Sequence, residues 1–252
     1  MLTKKIAGVL RAFTGTAHPK KFTTAIIAAA GDSTRFDGEL TKQMTPIMNI
    51  PVVIHTLLAF ERAECIDEII VAAKKSEIGY YKKLCREHGI KKLTHVVAGG
   101  ESRQESVKNA FEKISENAKF VAVSDAARCL VTPEIIGDVC RAAYKYGAAT
   151  AAHRSTDTVK IANKKGFIKE TVDRNTVWLA QTPQVFKTKI YMAAVYKAEK
   201  DGFVATDDNM LCEHIRRHVR LVECGSDNIK ITTAEDMVMA RAILEERYGA
   251  RE

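Results

Sequence analysis

Apolar residues along this chain come in short blocks divided by polar segments, and the blocks switch between two periods. Thr24-Ala25-Ile26-Ile27-Ala28-Ala29-Ala30 is a near-continuous apolar run ending at Gly31, as expected of a strand buried on both faces. Pro51 to Arg62 carries helical periodicity, Glu68-Ile69-Ile70-Val71-Ala72-Ala73 predicts a second strand, and Ser76 to His88 a helix. Leu93-Thr94-His95-Val96-Val97 predicts a third strand, halted by Gly99-Gly100. Ser102 and Glu105 have capping-box spacing and predict a helix running to about Asn117. Phe120-Val121-Ala122-Val123 predicts a fourth strand. Thr132-Pro133-Glu134 then opens a helix, with proline where its missing N–H costs nothing.

Strands alternating with helices at this spacing predict an α/β fold with a mostly parallel, doubly wound sheet. Functional loops of such sheets gather at the C-terminal strand ends. Three polar segments fall there: Gly31–Lys42, Gly99–Ser106 and Ser124–Arg128. Residues 150–180 break the rhythm. Asp157–Ile161 and Phe167–Val172 flank Asn163-Lys164-Lys165-Gly166, which reads as a β-hairpin arm over about 154–174. Asn228-Ile229-Lys230-Ile231-Thr232 reads as a strand carrying one lysine.

The chain has 252 residues, enough for one sizeable domain, placed at 23–248. Its net charge of +8 invites a nucleic-acid reading, but five of the basic residues (Lys4, Lys5, Arg11, Lys20, Lys21) lie in residues 1–22, which hold no acid. The nearly balanced body argues against nucleic-acid binding. No apolar run approaches the ~20 residues that cross a bilayer. Six scattered cysteines form no CxxC pair and no zinc spacing, which fits reduced thiols in a bacterial cytoplasm. Residues 1–22 lack the h-region of a secretory signal and are expected to be a poorly ordered extension. Ile6, Val9, Leu10 and Phe13 on one helix face, and the lack of acids, leave plastid import as the alternative.

Candidate chemistry concentrates in the strand-end loops. Small residues at Ala29-Ala30-Gly31 let backbone N–H groups approach a ligand, with Arg35 and Lys42 facing its phosphates. This is neither GxxxxGK[ST] nor GxGxxG, and alone it is equally an ordinary βα turn. Gly99-Gly100 before a capped helix leaves N–H groups at a positive dipole end. In Asp125-Ala126-Ala127-Arg128 the carboxylate suits hydroxyls or a metal and the arginine a phosphate; in isolation such a pair is more often a surface ion pair than a site.

The order matters more than any single piece. Ala29-Ala30-Gly31 with Arg35 and Lys42, Gly99-Gly100 with Ser106, Asp125-Ala-Ala-Arg128, Asp157-Thr158-Val-Lys, Val172-Asp-Arg174, Thr182-Pro-Gln, Thr206-Asp and Asp227-Asn-Ile-Lys230 follow one another. Over residues 24–245 this resembles the 2-C-methyl-D-erythritol 4-phosphate cytidylyltransferase family of isoprenoid biosynthesis.

That resemblance implies a Rossmann-like nucleotidyltransferase fold, a homodimer joined through the arm, and a divalent cation, normally Mg²⁺, held mainly by phosphates. It implies that Ala29, Ala30, Gly31, Gly100, Glu101 and Ser106 bind CTP. Arg35, Lys42 and Lys230 are implied as catalytic. Asp125, Arg128, Thr182 and Thr206 are implied to hold the polyol phosphate, with Thr158 and Arg174 reaching in from a second subunit. Four positions depart from the family pattern: Thr41 and Met44 around Lys42-Gln43, Cys129 where proline usually follows Asp-Ala-Ala-Arg, and Thr156 where Lys or Arg is common. A cytidylyltransferase for another polyol phosphate such as ribitol 5-phosphate, and a non-catalytic nucleotide-binding homologue, remain as alternatives. A Rossmann oxidoreductase is disfavoured because no GxGxxG follows the first strand.

Overall fold

A computed structural model describes residues 21–31 and 41–249. The expected extension, with its apolar positions at 6–13, lies mostly outside the described residues. So does most of the Gly31–Lys42 loop, Arg35 included.

A seven-stranded sheet forms the centre, built from β1 (Thr23–Ala28), β4 (Glu68–Ala73), β5 (Leu93–Ala98), β6 (Phe120–Asp125), β7 (Ala148–Arg154), β10 (Trp178–Lys187) and β11 (Arg220–Glu223). Its order is β11-β7-β10-β6-β1-β4-β5. Every neighbour pairing is parallel except the two made by β10, which runs antiparallel to β6 and to β7. The sheet is therefore the mostly parallel one that the alternation predicts.

Burial explains why the strands read as apolar runs. Ala25, Ile27, Ile69 and Val71 face one core cluster, while Ile26 and Ile70 face another. The first is closed by α1 (Val52–Arg62), α2 (Ile78–Glu87) and α4 (Pro133–Tyr146); the second by α3 (Arg103–Phe111), α5 (Thr188–Asp201) and α6 (Asp208–His214). With both faces covered there is no polar face to produce alternation. A third cluster packs α7 (Ala234–Tyr248) through Ala240 and Leu244 against Val52, Leu130 and the ribbon of β2 (Pro46–Ile47) and β3 (Ile50–Pro51). Cys129 is buried there, and burial pushes its thiol up to about 12. This departure from the family pattern packs as a small hydrophobe.

Both N-caps form, although Glu105 turns its carboxylate to Glu101 N rather than Ser102 N, so only half of the expected capping box is made. Ser102 Oγ accepts from Glu105 N at 3.0 Å, and Thr132 Oγ1 from Ile135 N at 3.3 Å. The helix opened by Ser102 stops at Phe111, however, well short of Asn117. There the backbone tightens into i→i+3 turns (Lys113 N to Ala110 O, Ile114 N to Phe111 O), and Ser115 N donates to the Glu68 carboxylate at 3.0 Å. That carboxylate, fixed on β4, captures the backbone before another turn forms.

Asn228–Thr232 is not a strand either. Asn228, fully buried, gives its amide to Gln181 Oε1 and to the Thr182 carbonyl, both at 3.0 Å, and Ile231 N meets Ala127 O at 2.9 Å. Side-chain bonds take the place of a ladder and pin this loop beneath the sheet's C-terminal edge. The hairpin is present but short, with β8 (Lys160–Ala162) antiparallel to β9 (Ile168–Thr171) and residues 161–171 exposed throughout.

Candidate active site

The strand order reverses beside β1: β4 and β5 lie on one side, and the chain returns to place β6 on the other. A crevice forms outside the carboxyl ends of parallel strands at such a switch point. Here it is a cleft of about 550 Å³. Of the residues expected to act, Ala30, Gly31, Lys42, Gly100, Glu101, Ser106, Asp125 and Lys230 all line it. A separate cavity of about 90 Å³ near His55 and Cys129 is mainly apolar and lies among none of the expected residues.

Small residues set the nucleotide-side walls. A methyl group on Gly99 would sit 2.3 Å from Ala30 Cβ, and one on Gly100 would sit 2.3 Å from Glu105. The β1 and β5 loops can close on each other because Gly99 lacks a side chain, while a bare Gly100 leaves room for the Glu105 side chain. At Gly31 the same test meets open space, so the backbone there is approachable. Ser106 is buried, its hydroxyl accepting from Gly100 N at 3.0 Å and donating to Ser102 O at 2.8 Å. Glu105 Oε2 accepts from Glu101 N at 2.9 Å. Ala29 supports this wall rather than lining it, since its N–H goes to Ala72 O and its carbonyl accepts from Gln43 Nε2 at 3.2 Å.

The floor is ionic. Asp125 ends β6 and meets Lys230 Nζ at 3.0 Å, Arg103 Nε at 3.2 Å and Arg128 Nε at 3.6 Å. Burial alone would raise its pKa, but Arg103, then Lys230 and Arg128, hold the carboxyl well below the usual range. Arg128 is lowered by burial, against which Asp125 works, and its Nη1 donates to Asn228 O at 2.8 Å. Arg103 also pairs with Asp208, so three cations face two carboxylates and the floor keeps a positive excess, suited to a ligand bearing phosphate charge.

The remaining expected residues stand elsewhere. Thr182 is buried behind the floor, where its hydroxyl accepts from Asp125 N and shares a hydrogen bond with Ser124 Oγ, each at 3.0 Å. Thr206 lies beside Trp178 in a separate shallow depression, with Met210 Sδ 3.1 Å from its hydroxyl. Thr158 and Arg174 are exposed at the base of the arm, Arg174 donating to Thr156 O at 3.2 Å. None of these four lines the cleft.

Sequence reasoning passed over several residues of the cleft: Arg103, Gln43, Lys74 and Lys75. One signal was available for Arg103. It is the first residue of α3, where the helix dipole disfavours a cation, so something else has to hold it there. Lys74 and Lys75 follow β4 directly, at the start of a short 3₁₀ turn (Lys75–Glu77), in a polar stretch with no distinguishing pattern.

A switch-point cleft with glycine-permitted backbone walls and a cationic floor defines an α/β protein built to hold nucleotide phosphates. Comparison narrows the class. Residues 23–246 match the family model described as IspD, 2-C-methyl-D-erythritol 4-phosphate cytidylyltransferase. The cytidylyltransferase of that name from Caldanaerobacter subterraneus is 41% identical over 226 residues, covering 88% of this chain and 98% of the relative. Its counterpart from Pelotomaculum thermopropionicum is 39% identical over 226 residues, covering 89% and 95%. Among solved structures, the 4-diphosphocytidyl-2C-methyl-D-erythritol synthase of Anaerococcus prevotii superposes with a TM-score of 0.80 at 30% identity, covering 90% of this chain and 97% of that one. The chain belongs to the 2-C-methyl-D-erythritol 4-phosphate cytidylyltransferase family and is a nucleotidyltransferase.

Proposed function

We propose that the chain transfers CMP from CTP to 2-C-methyl-D-erythritol 4-phosphate with release of pyrophosphate, and that the cleft is where this happens. The observation carrying this reading is the meeting of the glycine-lined loops with the Asp125 cation cluster in one cleft. A phosphate oxygen of the polyol attacks the α-phosphorus of CTP in line, and the bond to the β-phosphate oxygen breaks. A phosphate monoester is mostly doubly ionised at neutral pH (second pKa about 6), so no general base is required. The barrier lies in bringing two anions together, which positioning and fixed cations lower.

Lys42 faces the triphosphate, and Arg35 is assigned the same role from the sequence. Lys230, fixed by Asp125, offsets repulsion where the polyol phosphate meets the α-phosphate. The open backbone at Gly31 and the Gly100–Ser106 turn receive the nucleoside.

Mg²⁺ is the proposed cofactor. Among the described residues no cluster of three or more His, Cys, Asp or Glu is placed to hold a metal. Magnesium ordinarily keeps several waters and binds largely through substrate phosphates, and with both Asp125 oxygens engaged by Arg103, Lys230 and Arg128 the triphosphate would supply most of its ligands. When bound, the ion neutralises charge on the phosphate oxygens.

We also propose a homodimer. Phe167 and Ile168 on the arm are 68% and 66% exposed, and Thr158 and Arg174 lie away from their own chain's cleft. Docking the arm on a second copy covers the apolar pair and brings both polar residues toward the partner's floor. Among the described residues no helix is long and apolar enough to cross a membrane. All six cysteines are free thiols, which supports a reducing, cytoplasmic location.

The test is pyrophosphate release with CTP and Mg²⁺, offering methylerythritol phosphate or ribitol 5-phosphate in parallel. Release with methylerythritol phosphate alone is expected. Release with ribitol 5-phosphate alone would keep the chemistry and overturn the substrate.

A further inference from the structure

Arg103 stands at the positive end of α3 and is largely buried, two reasons for a cation not to be there. Two carboxylates answer for it. Its Nε reaches Asp125 Oδ1 at 3.2 Å, and its Nη1 reaches Asp208 Oδ2 at 2.7 Å. Burial works against the guanidinium's charge, but Asp208 and then Asp125 outweigh it and raise its pKa.

Asp208 is itself 1% exposed and firmly held. Its Oδ1 accepts from the Tyr191 hydroxyl at 2.5 Å, and its backbone N–H donates to Gln184 Oε1 at 2.9 Å. It opens α6, two residues beyond Thr206. The pair thus bolts the loop before α3, on the nucleotide side of the cleft, to the segment that begins α6.

The division of labour on Asp125 matters most. Lys230 and Arg128 both approach Oδ2, whereas Oδ1 meets Arg103. With Arg103 in place the carboxylate is held from both ends and cannot turn. Without it, the Oδ1 end is released, and the seat of Lys230 moves with the rotating carboxylate.

We infer that Arg103 is a positioning residue: anchored on buried Asp208, its fork fixes the orientation of Asp125 and thereby the place of Lys230 at the polyol-phosphate end of the cleft. This rests on reading the cleft as the site of cytidylyl transfer. A lysine at 103 keeps the charge but not the two-ended fork, so it can satisfy one carboxylate or the other.

The experiment is steady-state kinetics of Arg103→Lys, Asp208→Asn and Tyr191→Phe beside the wild type, each with its thermal midpoint. For Arg103→Lys the kcat/KM for methylerythritol phosphate should fall roughly tenfold to a hundredfold, the upper figure being what misplacement of about an ångström can cost, while the KM for CTP changes less than about threefold. Asp208→Asn should move the same constant in the same direction by less, and it decides the matter if Arg103→Lys does not fold. Tyr191→Phe removes one hydrogen bond from Asp208 but leaves its charge and its contact with Arg103, so its effect should be smaller than that of Asp208→Asn. Unchanged kinetics in Arg103→Lys, a rise in the KM for CTP as large as the fall in that kcat/KM, or an equal effect in Tyr191→Phe would each overturn the inference. A wild type that turns over neither substrate would overturn the functional reading as well, whereas an active wild type with an indifferent Arg103→Lys overturns only the positioning role.

Discussion

The cleft and the hairpin arm carry residues expected to serve one reaction, yet they are built in opposite ways. Around the cleft, Asp125, Thr182 and Asn228 are buried, and each is hydrogen-bonded or ion-paired to residues far away in sequence, while buried Ser106 is bonded within its own loop. On the arm, residues 161–171 are exposed and the two strands pair only with each other. A two-stranded hairpin alone is marginal in water, so the arm gains little from its own chain. Buried polar groups are costly unless satisfied, so the cleft's geometry is bound to the stability of the whole fold. The contrast teaches that changes at the cleft should act on chemistry or folding, and changes on the arm on association.

The largest effect should come from the floor. Lys230→Ala and Lys42→Ala should each lower turnover roughly a hundredfold to a thousandfold, as loss of one group stabilising transition-state charge does. Pyrophosphate release at saturating substrates measures this, and turnover within tenfold of wild type would remove the assigned roles. Next is the support behind the floor. Thr182→Val strands the buried Asp125 N–H and should cost about 1–3 kcal/mol. Calorimetry should then show a midpoint lower by roughly 2–10 °C, and an unchanged midpoint would break the link between site and core. The smallest effect on folding belongs to the arm. Measured at a dilution where both proteins are monomeric, Phe167→Ser should leave the midpoint within about 1 °C, because surface substitutions rarely exceed 0.5 kcal/mol. The same variant should shift sedimentation toward monomer at low concentration, and a midpoint that falls as far as in Thr182→Val would erase the distinction.

The parts of this architecture that rest on local chemistry were legible in the chain. The apolar runs of β1, β4, β5 and β6 and the caps at Ser102 and Thr132 are properties of a few adjacent residues. Strand β10 was not legible, because Gln181, Thr182, Pro183 and Gln184 interrupt it with polarity. In the fold these polar side chains are buried and spent on distant partners, with Gln184 donating to Asp207 and Gln181 accepting from Asn228. Alanine-rich β7 has few of the β-branched residues that signal a strand. The end of α3 at Phe111 and the absence of a strand at Asn228–Thr232 likewise depend on Glu68 and Gln181, which no local pattern announces. At the site, the small-residue loops and Asp125 could be read directly. Arg103 could not be valued without Asp208, which is 105 residues away.

The most direct test of whether cleft and arm form one site across two chains is complementation. Lys42→Ala and Arg174→Ala chains, each inactive alone, are co-refolded in equal amounts and assayed for pyrophosphate release, with exchange between subunits followed by a mass tag. A mixed dimer has one cleft with both residues intact, so the mixture should recover a substantial fraction of wild-type activity. No recovery despite proven exchange would contradict the shared site and return Arg174 to its own chain.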